Sequence, residues 1–365
     1  MKNTFGTSVA VTLFGESHGA MIGAVLDGMA PGIPVDEDFI ASRMALRRSV
    51  DCLSTPRRET DAVKIVSGVM DGHTTGTPIT FLIENTNTKS QHYDALSEVA
   101  RPGHADYTAY EKYHGFSDIR GGGHFSGRIT AGLVAAGAVA IAALERLGIR
   151  IGTHIAACGG VSDRPFGDVE ADVCTLRDLP FAVIDEAQGE KMKAAILAAK
   201  EDGDSVGGIL ETAVTGLPTG IGEPWFDTLE GVLAHMLFSI PAVKGVEFGL
   251  GFGYADRRGS AANDPFRMEN GHVVTATNNC GGILGGISNG MPLTLRLAVK
   301  PTPSIFSAQD TVNFKNGEDT VLDLKGRHDP AIVHRARVVV DSAVALVLCD
   351  MLALRYGTDY LAGSK

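Results

Sequence analysis

Disulfide and zinc chemistry have little to work with in this chain. Its five cysteines, Cys52, Cys158, Cys174, Cys280 and Cys349, are odd in number and form no CxxC pair. That argues against a disulfide framework and suits a reducing compartment. HExxH and paired His/Cys spacings are also missing, so no metal site is expected. The longest apolar run, Ala131 to Leu144, falls short of the roughly 20 residues that a membrane span needs. It reads as a buried helix. The opening MKNTFGTSVAVTLFGESHG has no cleavable signal pattern, and a soluble, cytoplasmic chain is expected. Basic charge is in deficit: the net charge is −11, which disfavours nucleic acid or an anionic membrane as partner. No linker, low-complexity tract or repeat marks a boundary, so one domain over residues 1–365 is expected. Neither GxxxxGK[ST] nor a G-x-G-x-x-G between strand and helix occurs, which sets aside P-loop and dinucleotide-binding readings.

Glycine, by contrast, is abundant at 45 residues while aromatics make up 6%, a composition of tight turns and small-residue packing. Arg43, Arg47, Arg48, Arg57 and Arg58 crowd together with Asp51 as the one acid among them. On an acidic protein such a cluster is either solvated surface or the wall of a pocket for a small polyanion.

SVAVTLF and MIGAVLDG read as strands around a turn at GESHG. Residues 36–48 carry a helical pattern led by Asp36. AVKIVSGVM and TPITFLIEN are β-rich runs joined by a hairpin-like turn. Helical character is expected at 94–100, 105–114, 129–147, 185–201, 225–240 and the last long segment from 331. Strands are expected at 150–161, 207–218, 243–253 and within 281–305. Strands come in adjacent pairs, so α+β with antiparallel sheets is favoured over a doubly wound parallel sheet.

The chemistry-bearing residues sit in separate Gly/Pro-rich segments. GESHG matches the G-x-S-x-G of a serine hydrolase, but that motif needs a helix after the serine. The segment after Ser17 reads as a strand, which leaves His18 as the acid–base candidate at this corner. RPGHAD (101–106) sets an arginine, a histidine and an aspartate around a Pro-Gly turn. RGGGHFSGRIT (120–130) spends three glycines ahead of a helix. Either backbone N–H groups there meet an anion, or the turn is needed only for packing. KPTPSI (300–305), NNCGGILGGISNG (278–290) and KGRHDP (325–330) complete the set. Together they describe a composite pocket for an anionic ligand with acid–base groups inside it.

These segments, with VKGVEFG, occur in the order and with the residues that resemble the chorismate synthase family, from residue 15 to residue 330. The resemblance implies a β-α-β sandwich, with central helices between antiparallel sheets, assembled as a homotetramer. It implies 1,4-elimination of phosphate from 5-enolpyruvylshikimate 3-phosphate to give chorismate, with reduced FMN required although no net redox occurs. It further implies that His104 serves the leaving phosphate, that His18 serves the flavin, and that Asp329 relays the ring proton through the flavin's N5. Arg47, Arg48, Arg101, Ser126, Arg128 and Arg327 would hold the substrate's phosphate and carboxylates. His124, Phe125, Ser126, Pro241, Ala242, Gly285, Lys300, Pro301, Thr302, Pro303, Ser304 and Arg327 would form the flavin site. NADPH is the candidate source of reducing equivalents, delivered by this chain or by an external flavin reductase. Both routes stay open. A serine hydrolase using Ser17 and a non-catalytic flavin-binding protein remain as alternatives.

The chain departs from the family pattern in places. Where the family often has GGGRSSARET, His124, Phe125 and Ile129 replace an arginine, a serine and a glutamate. Between Arg48 and Arg57, Cys52 or Leu53 stands where another arginine is usual, and Ala331 follows RHDP in place of a common cysteine. Activity with altered affinity is expected, because His18, His104 and Asp329 are all present.

Overall fold

A computed structural model describes residues 2–48, 53, 61–86, 98–324 and 329–363. Two five-stranded antiparallel sheets enclose two long helices. In the first sheet the spatial order is Thr4–Phe5, Ala10–Gly15, Met21–Asp27, Ile79–Glu84 and Val63–Ser67. In the second it is Val243–Phe248, Leu293–Val299, Gly208–Thr215, Arg150–Cys158 and Val161–Ser162. Strict alternation explains which face each strand buries: Ile79, Phe81 and Ile83 point inward from one strand, and Leu293, Leu295, Leu297 and Val299 from another.

The helix Thr130–Arg146 packs on the first sheet, the helix Val333–Tyr356 packs on the second, and the two pack on each other. This is the sandwich that the family resemblance implies. Being covered on both sides, the first helix has no polar face. The helical stretch Gly127–Arg146 is long and apolar enough to cross a membrane, yet most of it is buried as a core element. Its small residues set the layer spacing. A Cβ on Gly132 would lie 2.6 Å from the carbonyl of Gly23 in the sheet, and one on Gly137 would collide with Ser342 of the second helix. Each glycine costs about 1 kcal/mol of helix propensity, and the close approach it permits is what that cost secures.

The second helix carries polar groups inside the core. Arg337 meets Asp341 at 3.2 Å, and Asp341 accepts from Thr153 at 2.6 Å. Burial raises the Asp341 carboxyl above the usual carboxylate range. Near the helix end, Asp350 accepts from the backbone N–H groups of Thr7, Ser8 and Val9 at 3.0, 2.6 and 2.9 Å. The N-terminal segment is thereby tied to the last helix.

Several sequence expectations need correction. Residues 94–97 lie outside the described residues, and 98–100 are not helical: a turn at Glu98 leads into Val99, which is bridged to Asn313. The helix expected from Trp225 begins at Leu229 behind a Thr228 cap, and Trp225–Asp227 is a 3-10 turn. The helix Val169–Leu176 and the ribbons Phe266–Thr275 and Gln309–Leu322 had no expectation attached to them.

Candidate active site

Three left-handed glycines, Gly121, Gly122 and Gly123 with φ of 61°, 85° and 54°, interrupt the 3-10 turn Arg120–Phe125. A Cβ on Gly121 would fall inside the imidazole of His18, and one on Gly122 would stand 3.5 Å from Nε2 of His104. Ser17 N donates to Gly123 O at 3.1 Å, closing the GESHG corner onto the glycine turn. Gly121 is therefore needed for close approach to His18 and Gly123 for close approach to the Asp118 carbonyl, while Gly122 supplies its left-handed φ beside His104. They do not form a helix N-terminus: the long helix begins later, at Thr130. Ser17 lies between two antiparallel strands and is 1% exposed. The helix that a nucleophile elbow requires does not come after it.

His104 is held from its Nδ1 side. Nδ1 lies 2.7 Å from Asp106 Oδ1. Asp106 in turn accepts from Arg101 Nε at 2.8 Å, Arg101 Nη2 at 2.7 Å and the Arg101 backbone N–H at 3.0 Å. Burial works to raise the Asp106 carboxyl, but the hydrogen bonds from Arg101 and His104 outweigh it and hold the group well below the usual carboxylate range.

A second carboxylate organises the arginines. Buried Asp61 accepts from Arg47 Nη1 at 3.1 Å through Oδ2 and from Arg128 Nη1 through Oδ1. Arg47 also donates to Gly127 O and Thr130 Oγ1, and Arg128 to Asn85 Oδ1 and Glu84 O. Asp329 accepts from Arg335 Nη1 at 2.6 Å, and Arg335 Nε reaches Arg47 O at 2.7 Å. The last helix thus joins the arginine cluster.

Arg47, Asp61, Arg101, His104, Arg128, Asp329 and Arg335 all face one cavity of about 1250 Å³. Among the described residues, eight arginines and lysines line it against two carboxylates, Asp61 and Asp329. An apolar wall of Leu133, Met236, Ile240, Ala336 and Val339 completes it. The arrangement suits a ligand with a flat apolar part and several anionic groups.

Most of the expected residues meet here. Arg47, Arg48, Arg101, His104, His124, Phe125, Ser126, Arg128, Pro241, Ala242, Lys300, Thr302, Pro303, Ser304 and Asp329 all line the cavity. His124 is fixed by Gly15 O at 2.8 Å, Phe125 stands edge-on to Tyr113, and Lys300 Nζ donates to Gly103 O. His18 is one layer back, behind Gly121. Pro301 and Gly285 are exposed and do not line this cavity; Gly285 turns the short ribbon Ile283–Ser288. Arg327, Cys52, Arg57 and Arg58 lie outside the described residues. Arg43 faces elsewhere, donating to Arg177 O at 2.7 Å and pairing with Asp178. Asp61 and Arg335 went unrecognised in the sequence. Asp106 was visible within RPGHAD without a role.

Fold and site together define an enzyme for a small polyanion, with histidines beside a basic cavity. The family model for chorismate synthase matches residues 9–353. The chain is 48% identical to the chorismate synthase of Dehalococcoides mccartyi over 360 residues, covering 98% of each chain. It is 47% identical to that of Pyrococcus abyssi, covering 96% of this chain and 97% of the relative. A crystal structure of chorismate synthase superposes with a TM-score of 0.77 at 30% identity, covering 97% of this chain and 94% of the other. The chain belongs to the chorismate synthase family. It converts 5-enolpyruvylshikimate 3-phosphate to chorismate in the shikimate pathway, as a carbon–oxygen lyase acting on phosphate. The family uses reduced FMN.

Proposed function

We propose that substrate and reduced FMN occupy the 1250 Å³ cavity together, and that the chemistry runs between His104 and Asp329. The observation that carries this reading is the convergence of His104, Asp329 and eight cationic side chains on one space. The residues fit a flavin: Thr302 Oγ1 is buried without a partner among the described residues at the cavity wall, beside Ser304 and Lys300. His124, Phe125, Ser126, Pro241, Ala242 and the 300–304 segment would hold it. When bound, reduced FMN supplies electron density that is returned by the end of the reaction.

The chain's own residues supply the rest. Arg47, Arg48, Arg101 and Arg128 hold the phosphate and carboxylates, since a guanidinium fork matches both. His104 gives a proton to the leaving phosphate at Nε2, because Nδ1 is committed to Asp106. Asp329, held by Arg335, moves the ring proton, and His18 balances charge behind the glycine turn. We further infer that the chain works as a single domain, as a homotetramer, in the cytoplasm. Its flavin is reduced at the expense of NADPH, through an external flavin reductase or within the chain.

The test is anaerobic incubation of the protein with reduced FMN and 5-enolpyruvylshikimate 3-phosphate. Chorismate and phosphate should appear together, and oxidised FMN should give neither. FMN should also bind more tightly when reduced and with substrate present. Equal affinity for both redox states, with substrate or without, would count against this reading of the cavity.

A further inference from the structure

We propose that Asp106, buttressed by Arg101, is the positioning residue of His104: it fixes the ring through Nδ1–H and turns Nε2 toward the reacting phosphate. The inference rests on the reading of His104 as proton donor. Two contacts compete at Nδ1: Asp106 Oδ1 at 2.7 Å and Arg101 Nη2 at 3.0 Å. An ionised carboxylate can only accept and a guanidinium can only donate, so both cannot be hydrogen bonds to the same ring nitrogen. Arg101 Nη2 already donates to Asp106 Oδ1 at 2.7 Å, and the carboxylate is the nearer neighbour of the ring. Nδ1 therefore carries a proton and donates to Asp106.

Nε2 is the nitrogen that faces Gly122, which packs beside it without a side chain. Three hydrogen bonds from Arg101 fix the carboxylate itself. Arg101 and Asp106 are both 8% exposed, so solvent screens the pair little. The His104 ring cannot rotate about its bond to Cβ without breaking the 2.7 Å contact. To give up a proton at Nε2 while Nδ1–H stays on Asp106, the ring must act as the imidazolium, and the Asp106 carboxylate on the far nitrogen balances that positive charge and fixes its direction. Arg101 thus has a second task besides lining the cavity, and Asp106 acts on the reaction only through His104.

Asp106→Asn tests this. An amide that kept its oxygen toward the Arg101 Nε–H and backbone N–H would present its NH₂ to His104. Nδ1 must then accept, and the ring loses its imidazolium form. With reduced FMN and saturating substrate, kcat should fall by about 10²-fold or more while the substrate KM changes by about twofold at most. In the ¹⁵N spectrum of labelled protein, His104 Nδ1 should change from protonated to unprotonated. Combining Asp106→Asn with His104→Ala should be no slower than His104→Ala alone.

A protonated Nδ1 in the Asp106→Asn variant, or additive losses in the double variant, would overturn the proposal. A His104→Ala protein turning over at the parent rate would instead refute the role of His104 itself, with the nitrogen spectrum still judging Asp106. Should Asp106→Asn fail to fold, Asp106→Glu keeps the charge on a longer arm. It should retain a protonated Nδ1 and recover part of kcat. A Glu variant that retains protonated Nδ1 yet is as slow as His104→Ala would also overturn the proposal.

Discussion

Arg47 and Arg128 close on the same carboxylate: each gives an Nη1 hydrogen to Asp61, one to Oδ2 and the other to Oδ1. Two cations that would repel each other are held side by side by a buried anion, and both remain on the cavity wall. Arg47→Ala should therefore lose more than a ligand contact. Stability should fall by about 1–3 kcal/mol, because Asp61 and the Gly127 carbonyl each lose a buried donor. The substrate KM should rise and its salt dependence flatten. Arg48→Ala, at an exposed position on the same cavity, should raise KM with little change in the thermal midpoint. An Arg47→Ala protein that melts and binds like the parent would show that Asp61 is satisfied by Arg128 alone.

The glycine turn yields a ranked series. Gly121→Ala puts a methyl into the His18 ring at φ 61°, and Gly122→Ala adds one at φ 85° with ordinary contact to His104. Gly127→Ala meets nothing within 4 Å at an unstrained φ. Activity should be lost in the first variant and reduced in the second. In the third it should be unchanged, with stability altered by at most about 1 kcal/mol. Circular dichroism melts alongside single-turnover rates separate strain from displacement of a histidine. Equal behaviour of all three would mean the turn yields freely.

Far from the cavity, His154 is buried between Asp163 and Glu211, 2.9 Å from each. Burial acts to lower its pKa, yet the two carboxylates prevail and raise it. Its contribution to stability is therefore complete below the unfolded-state value and is lost as pH rises through the raised one. Asp163 is shifted the other way: burial opposes its charge, but hydrogen bonds from His154 and from the backbone N–H groups of Ile184 and Asp185 lower its pKa. Its contribution is present above the unfolded value and disappears in acid. Urea midpoints should decline as pH rises above the ordinary imidazole value of 6.5, and His154→Gln should flatten that limb. An unchanged alkaline limb in the variant would remove His154 from the account.

The order of damage among three side chains separates an eliminase from a hydrolase. With reduced FMN bound, His104→Ala should cost about 10²–10⁴-fold in single-turnover rate. Asp329→Ala should slow proton loss from the ring while leaving flavin binding largely intact. Ser17→Ala should cost less, since Ser17 sits at the tip of a hairpin. A ranking with Ser17→Ala worst and His104→Ala near normal would reverse the assignment.

Much of this arrangement was legible in the residues. Alternating apolar positions marked the strands around GESHG, and the all-apolar run from Ala131 marked a helix covered on every side. Phe266–Glu269 escaped notice although FRME alternates apolar and charged residues, because four residues are too short a run to stand out and none of them is buried. The helix Val169–Leu176 is only eight residues long, and its Asp168 cap was its one local signal. In the site, motif chemistry singled out His18 and offered His104 and Asp329 only as candidates, and the family resemblance selected all three and supplied their roles. The pairings were hidden for a physical reason. Asp61 comes after a basic segment with no motif around it, and its partners come from a helix end and a distant turn. Arg335 looked like one more charge on a helix until Asp329 was brought against it. Contacts of that kind arise only when separate segments close together.

The hold of Asp350 on Thr7, Ser8 and Val9 has a bearing on how the protein is made. Lys2, Asn3, Thr4 and Phe5, just ahead of that anchor, form part of the cavity wall, and Arg335 on the same late helix secures Asp329 and the Arg47 carbonyl. A ribosome delivers this helix after both sheets and the glycine turn. A nascent chain that already carries both histidines and every glycine of the turn still lacks the brace for residues 7–9, so this part of the cavity wall can be fixed only once Asp350 has been made. Premature termination anywhere before Asp350 should leave a product unable to finish the wall that its first residues began.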